Sequence, residues 1–330
     1  MTTGKKALVV GIDDYPDAPL RGCVNDAMRV AAMLESNGDG SPNFDVNLLT
    51  STTHNITLDS LSDALTDLFS GRAETVLFYF AGHGVVDEKW SAGYICTADG
   101  KRRAPGVALS DLLTMANAAS PEIRSSILIL DACQAGVFGD LPSNPAVSMI
   151  GEGVTILTAC HRNQFAVEGE EHGLFTEFLL DGLNGGAADL IGRITPAALY
   201  SHIDQTLGMW EQRPVYKANV QSFVTLREVT PKVPRDTLRR LPLYFADRAS
   251  LYTLDPTHEE DRANAPDWLL AIAPDPDHVR IFKELQACNR HGLIVPVDAE
   301  HMYYAAINSK ACRLTALGAH YRKLAELKRI

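Results

Sequence analysis

The sequence predicts an α/β fold: an open, mostly parallel six-stranded sheet flanked by helices, with a small α+β domain after it. Three observations carry that expectation. Residues 75–81, 126–132 and 154–160 are short, nearly unbroken apolar runs, the pattern of strands covered by helices on both faces. Ahead of them Leu58, Leu61, Leu65 and Leu68 recur at three- and four-residue spacing, which is an amphipathic helix. Strand-like and helix-like segments then alternate along the first two-thirds of the chain, the order of a parallel sheet joined by crossover helices.

Taken in order, residues 5–12 read as the first strand and 27–36 as a helix with apolar Met28, Ala31, Ala32 and Leu34. Residues 44–50 are the second strand and 58–68 the second helix. The three apolar runs supply the next three strands. A helix is expected at about 174–184. Another starts at Thr195-Pro196, because the fixed φ of proline suits a first helical turn. Residues 221–226 are expected to complete the sheet as its sixth strand. In open sheets of this kind functional groups collect at the carboxyl ends of the strands, which is where Asp13, His83 and Cys133 fall.

Composition bounds the function class. At 330 residues the chain is long enough for one well-buried domain of roughly 200 residues plus a smaller one. A hydrophobic content of 46% and a mean hydropathy of -0.05 predict a soluble globular protein. No run approaches the roughly 18 apolar residues of a membrane span, and Met1-Thr2-Thr3-Gly4-Lys5-Lys6 carries no signal-peptide pattern. The six cysteines at 23, 96, 133, 160, 288 and 312 are scattered with no CxxC pair, so reduced thiols in a cytoplasmic setting are expected rather than a disulfide framework or a zinc site. Asp13, Asp14 and Asp17 form a small acidic cluster that is read as solvated rather than as a calcium site. Neither a metal nor a cofactor is expected.

Charge and proline mark the domain organisation. Residues 277–330 hold nine Lys or Arg against five acids, whereas the whole chain carries a net charge of -11. Between the two regions, 229–276 contains seven prolines and little periodicity. The expected domains are 1–228, an ordered Pro-rich linker or interdomain wrap at 229–276, and a small recognition domain at 277–330. In that tail, 278–289 reads as helix, 292–297 as strand, 300–307 as helix, 312–315 as a short strand or the start of a helix, and 316–328 as helix. Its size, order and basic sign resemble a winged-helix module. Lys310, Arg313, Arg322, Lys323, Lys328 and Arg329 are candidates for phosphate contacts, and a partner protein is an equal candidate.

Two turns carry the chemistry. The strand ending at Ile129-Leu130-Asp131 runs into Ala132-Cys133-Gln134-Ala135-Gly136, which presents one thiol at the carboxyl edge of the sheet. Fifty positions earlier the strand at 75–81 runs into Gly82-His83-Gly84, which presents an imidazole at the same edge. A thiol beside a base, on glycine turns that let backbone N–H groups approach a substrate carbonyl, is what acyl transfer through a Cys–His pair requires. A buried cysteine at a strand end more often packs than reacts, but the flanking Asp131, Gln134 and Gly136 and the matched histidine turn single out Cys133. Cys160 has no second Gly-His-Gly turn to partner it and is read as structural. His161 and His172 are read as loop histidines.

These segments resemble the caspase superfamily, peptidase family C14, and within it the metacaspase-like branch. The spacing of a Cys motif with a His about 50 residues upstream is itself a known caspase signature. Leu20-Arg21-Gly22-Cys23-Val24-Asn25-Asp26-Ala27 is similar to a metacaspase stretch. Ile156-Leu157-Thr158-Ala159-Cys160-His161 with Gly173-Leu174-Phe175-Thr176 looks like the strand and helix that follow the cysteine there. The resemblance covers roughly 5–227. It implies a cysteine endopeptidase acting on protein or peptide substrates, with Cys133 as nucleophile, His83 as its base, and the N–H groups of Gly84 and Cys133 as the oxyanion hole. It further implies a pocket lined by Cys23, Asp26 and Asp131 that takes a basic side chain, Arg or Lys, on the acyl side of the scissile bond. Read without the resemblance, Asp26 is an N-cap and Asp131 a hydrogen-bonded strand end. Ala81 stands where metacaspases often have Ser in that pocket. Residues 137–153 contain no Lys or Arg, so an enzyme selective for basic residues is not expected to cut itself there. Lys101-Arg102-Arg103 is read as a solvated loop cluster, and it is where limited self-cleavage would fall. A stress or defence effector is the biological setting the family implies. The alternative function is a catalytically silent caspase-like adaptor whose tail binds nucleic acid or a partner protein.

Overall fold

The computed structural model describes residues 4–87, 92–133, 135–141, 144–159, 173–207, 213–220, 223–262 and 267–330. It divides into two compact units, residues 1–188 with 192–230, and residues 189–191 with 231–330.

The first unit is built on a six-stranded sheet. Its strands are β1 (Lys5–Gly11), β2 (Phe44–Thr50), β3 (Ala73–Ala81), β4 (Ile123–Asp131), β5 (Val154–Thr158) and β6 (Val215–Asn219). They lie in the order β6-β5-β4-β3-β1-β2, parallel throughout except for β6, which pairs antiparallel with β5. The chain winds outward from β1 to β2 and then returns to lay β3 on the other side of β1. A reversal of this kind leaves a crevice at the carboxyl ends of the two strands beside it.

Alternation along the strands explains why both faces are apolar. Val76, Phe78 and Phe80 of β3 with Leu128 and Leu130 of β4 belong to one core layer. Leu77 and Tyr79 with Ile127 and Ile129 belong to the other. The first layer is covered by α2 (Leu58–Leu68) and α3 (Leu109–Ala118), the second by α1 (Cys23–Glu35), α4 (Leu174–Asp181) and α5 (Pro196–Thr206). Thr57 caps α2 by accepting from the Ser60 N–H, and Thr195 caps α5 by accepting from the Ala198 N–H, with Pro196 in the first turn, both standard ways to satisfy orphan helix donors.

Several expectations need correcting. The sixth strand is Val215–Asn219 and not 221–226. Being an edge strand, it is partly exposed and lacks the continuous apolar run that marks a buried one. Helix α1 starts at Cys23, four residues before the expected position. Its N-terminus is capped from a distance: the Asp13 carboxylate accepts from the N–H groups of Cys23 and Val24 at 2.9 and 3.3 Å. Asp26 is therefore no N-cap but a buried residue of the first turn. Between β3 and β4 the chain inserts a three-stranded antiparallel sheet, Gly84–Asp87, Ala92–Lys101 and Ala104–Ala108, followed by α3.

The second unit is α+β. Helix α6 (Arg235–Tyr244) is followed by β7 (Leu251–Thr253), α7 (Pro276–Arg290), β8 (Ile294–Val297), α8 (Met302–Ile307), β9 (Ala311–Leu314) and α9 (Ala316–Glu326). A short helix, Asp267–Leu270, precedes α7. The strands form an antiparallel sheet in the order β7-β9-β8. Residues from 229–276, expected as linker or wrap, thus contribute α6 and the edge strand β7 to this unit. Arg322, a candidate phosphate contact, is 8% exposed and donates to the carbonyls of Phe245 and Ala246, so its charge serves the interior. Strands β8 and β9 are joined through α8, where a winged helix would carry a hairpin loop.

Candidate active site

Register brings the two turns together. Parallel pairing of β3 with β4 sets Ala81 opposite Asp131, and each chain then runs two residues further, to His83 and to Cys133. The approach is close: a Cβ built on Gly84 would lie 2.3 Å from the Cys133 carbonyl oxygen. Only glycine fits there, which is the physical content of the Gly-His-Gly motif. A Cβ on Gly82 would lie 2.5 Å from the Tyr15 hydroxyl. Both His83 and Cys133 are partly exposed.

The imidazole is oriented by groups that no motif announced. Nε2 of His83 lies 2.7 Å from the carbonyl oxygen of Ala18. A carbonyl has no proton to give, so Nε2–H donates and the neutral ring keeps its lone pair on Nδ1. The Tyr15 ring packs against the imidazole at 4.5 Å between centroids. Its hydroxyl accepts from the His83 N–H at 3.1 Å and faces the Cys96 carbonyl at 3.3 Å. Burial holds the Tyr15 phenol far above its ordinary range, with nearby Cys23, Cys96 and Asp13 adding to that and the His83 N–H opposing it, so it stays a neutral hydroxyl. Among the described residues no hydrogen bond joins the His83 ring to the Cys133 sulfur. Catalytic hydrogen bonds are often long in free enzymes and tighten with substrate.

A second cluster lies at the same edge. Asp26 and Asp131 are 2% and 8% exposed. A Cβ on Gly173 would sit 2.6 Å from Asp131 Oδ2 and 3.2 Å from Asp26 Oδ2, so both carboxylates converge on one point. The Gly173 N–H donates to Asp26 at 2.9 Å, and Thr176 Oγ1 donates to Asp131 at 2.7 Å. Since Thr176 spends its proton on the carboxylate, Tyr79, 2.6 Å away, donates to Thr176. Burial pushes the Tyr79 phenol well up, with the charges of Asp131 and Asp26 adding to it. Cys23 lies at the start of α1, partly exposed.

Beside the imidazole opens a cleft of about 860 Å³ whose walls include Tyr15, His83, Cys96 and the run Lys101-Arg102-Arg103. Cys133, Asp26 and Asp131 are not among its lining residues. Burial pushes the Cys96 thiol up to about 11, so it stays protonated at neutral pH and is a poor nucleophile. Cys288 and Cys312, in the second unit, are likewise buried, with thiols pushed up to about 12. Cys160, His161 and His172 lie outside the described residues.

Asp13, from the acidic cluster, is committed to capping α1. Among the described residues one group has metal-ligand character: Asp255, His258 and His278 in the second unit, with ligand atoms within 4.8 Å of one another. The two imidazoles are stacked at 4.2 Å with planes 13° apart. Lone pairs in parallel stacked planes do not converge on one ion, so the group reads as a packed histidine pair.

The caspase-domain family model matches residues 4–224, and this chain belongs to the caspase domain family. No curated protein matches its sequence. Among solved structures it is similar to protein GSU0716 from Geobacter sulfurreducens, at 16% identity and a TM-score of 0.51, over 69% of this chain and 98% of that one. It is similar also to caspase-1 from Spodoptera frugiperda, at 12% identity and a TM-score of 0.51, over 69% of this chain and 91% of that one. At these identities the likeness concerns the fold. Among the described residues no helix is long and apolar enough to cross a membrane.

Proposed function

We propose that the chain is a cysteine endopeptidase in which Cys133 is the nucleophile and His83 its base. The observation that carries this reading is the pairing of the two strand-end turns at one sheet edge, with the His83 ring held by the Ala18 carbonyl so that Nδ1 is its basic nitrogen. The thiol proton passes to Nδ1 as sulfur forms a bond to the scissile carbonyl carbon. The N–H groups of Gly84 and Cys133 receive the developing oxyanion, each worth about 2.7–4 kcal/mol. Collapse breaks the C–N bond, the imidazolium protonates the departing amine, and water then hydrolyses the thioester.

On the acyl side we infer that Asp26 and Asp131, with Cys23 beside them, select Arg or Lys. Two buried carboxylates converging near the strand ends support this, because a cationic side chain would offset their mutual repulsion. For the second unit we infer a recognition role toward a partner protein or nucleic acid, supported by the exposed Lys310, Arg313, Lys328 and Arg329 and by its separate core. We read it as a small α+β recognition module of a cytoplasmic protein, without the hairpin wing of a winged helix. Hydrolysis of a peptide library by wild type, Cys133→Ala and His83→Ala tests the assignment. Both variants are expected to lose turnover while keeping the wild-type circular dichroism. Substantial hydrolysis by purified Cys133→Ala refutes it, and a wild-type preference for Asp before the scissile bond refutes the pocket.

A further inference from the structure

The cleft beside His83 takes no part in the mechanism above, yet its position relative to the imidazole assigns it an occupant. The imidazolium hands its proton to the leaving amine, so the nitrogen of the residue after the scissile bond must sit within hydrogen-bonding reach of the ring. The acyl portion stays on the thiol, and neither Cys133 nor Asp26 nor Asp131 lines the cleft. The peptide that follows the scissile bond therefore departs across the imidazole's own side, where the cleft of about 860 Å³ is walled by His83 and Tyr15 at one end and by Lys101, Arg102 and Arg103 beyond. All three cations are exposed, and among the described residues none is in ion-pair range of a carboxylate. Asp17 and Asp87 also line the cleft. The run of three adjacent cations, carried on the turn between two strands of the inserted sheet, is the selective element.

Resting on the peptidase reading, we propose that this cleft receives the substrate residues that follow the scissile bond, and that Lys101, Arg102 and Arg103 make it selective for Asp or Glu there. Substrates would then carry a basic residue followed within a few positions by acidic ones, a polarity matched to a pair of carboxylates and a separate cation-lined cleft. Exposed ion pairs are individually weak. Three together are expected to favour acidic over neutral peptides by about three- to tenfold in kcat/KM, and the preference should shrink as salt shortens the Debye length to about 8 Å at physiological strength.

The test uses full-length protein and peptides identical up to a P1 Arg, with Glu, Ser or Lys at the second to fourth positions after it. Wild type is expected to rank them Glu, Ser, Lys, and the K101A/R102A/R103A variant to bring the Glu-to-Ser ratio to about one. A ratio unchanged in the triple variant, or equal rates for all three peptides in wild type, overturns the assignment. Fluorescence anisotropy of the labelled Glu peptide on Cys133→Ala, with and without the three substitutions, separates this failure from that of the peptidase reading. Cleavage without acidic preference removes the cleft's role and leaves the peptidase. Binding that needs the three cations, in a protein that never cuts, leaves the cleft and removes the peptidase. Binding indifferent to the cations overturns the cleft whether or not the protein cuts.

Discussion

Tyr15 meets His83 twice, through its ring on the imidazole and through its hydroxyl at the histidine's own N–H. Tyr15→Phe keeps the first contact and deletes the second. With a net value of about 1 kcal/mol per hydrogen bond and two bonds at stake, kcat/KM on a basic-P1 peptide is expected to fall about five- to thirtyfold, mostly in kcat, with folding retained by circular dichroism. An unchanged kcat would show that the hydroxyl plays no positioning part. Gly84→Ala is harsher, because its methyl would overlap the Cys133 carbonyl and force the two turns apart. A loss of about 10²–10³ in kcat is expected, comparable to removing an oxyanion donor. Near-wild-type turnover in that variant would count against the oxyanion role of this turn. The placement of Cys133 and His83 on turns at one sheet edge was legible because apolar strands ending in glycine turns are local patterns. Ala18 and Tyr15 were not: a main-chain carbonyl leaves no residue type behind, and a tertiary ring contact has no spacing rule.

At the scale of elements, α1 shows how a boundary escapes sequence reading. Its capping group, Asp13, stands ten positions before Cys23, whereas capping rules look at the adjacent residue. Asp13→Ala is expected to destabilise the first unit by about 1 kcal/mol, visible as a lower melting temperature. Equal melting of the two proteins would remove the capping account. Strands β1, β3, β4 and β5 were legible because burial on both faces writes a nearly continuous apolar run; edge strand β2, Phe44-Asp45-Val46-Asn47-Leu48-Leu49-Thr50, was legible from its place between two helices. Edge strand β6 reads Val215-Tyr216-Lys217-Ala218-Asn219 and shows no such run, while the apolar Phe223-Val224-Thr225-Leu226 misled. The inserted sheet between β3 and β4 and helix α3 went unread, since the short strands there carry Gly93, Gly100, Gly106 and Pro105 in place of an apolar run.

At the scale of the whole molecule, the two units carry separate cores, and the second is expected to have its own pH dependence. His258 is 3% exposed; burial and the neighbouring His278 hold its pKa below the ordinary histidine value, against the pull of Asp255. The unfolded chain therefore takes up a proton at higher pH than the folded unit, and the stability present above about pH 6.5 is lost as pH falls below it. Melting of the second unit is expected to drop between pH 7.5 and 5.5, with a shallower slope in His258→Asn. An identical slope in the variant would exclude His258 as the cause. The chain is also expected to stay uncut during turnover between residues 137 and 153, where no Lys or Arg occurs. Intact-mass analysis beside Cys133→Ala checks this, and Cys133-dependent fragments ending there would contradict the basic selectivity. Finally, imidazole and thiol stand 50 positions apart and become neighbours only when β4 pairs in register with β3. A chain still emerging from the ribosome exposes the histidine long before the cysteine and its strand have arrived. On the proposed peptidase reading, the newborn polypeptide therefore has no working dyad until that pairing forms, and on refolding, hydrolysis is expected to return no earlier than hydrogen-exchange protection of the β3 and β4 amides.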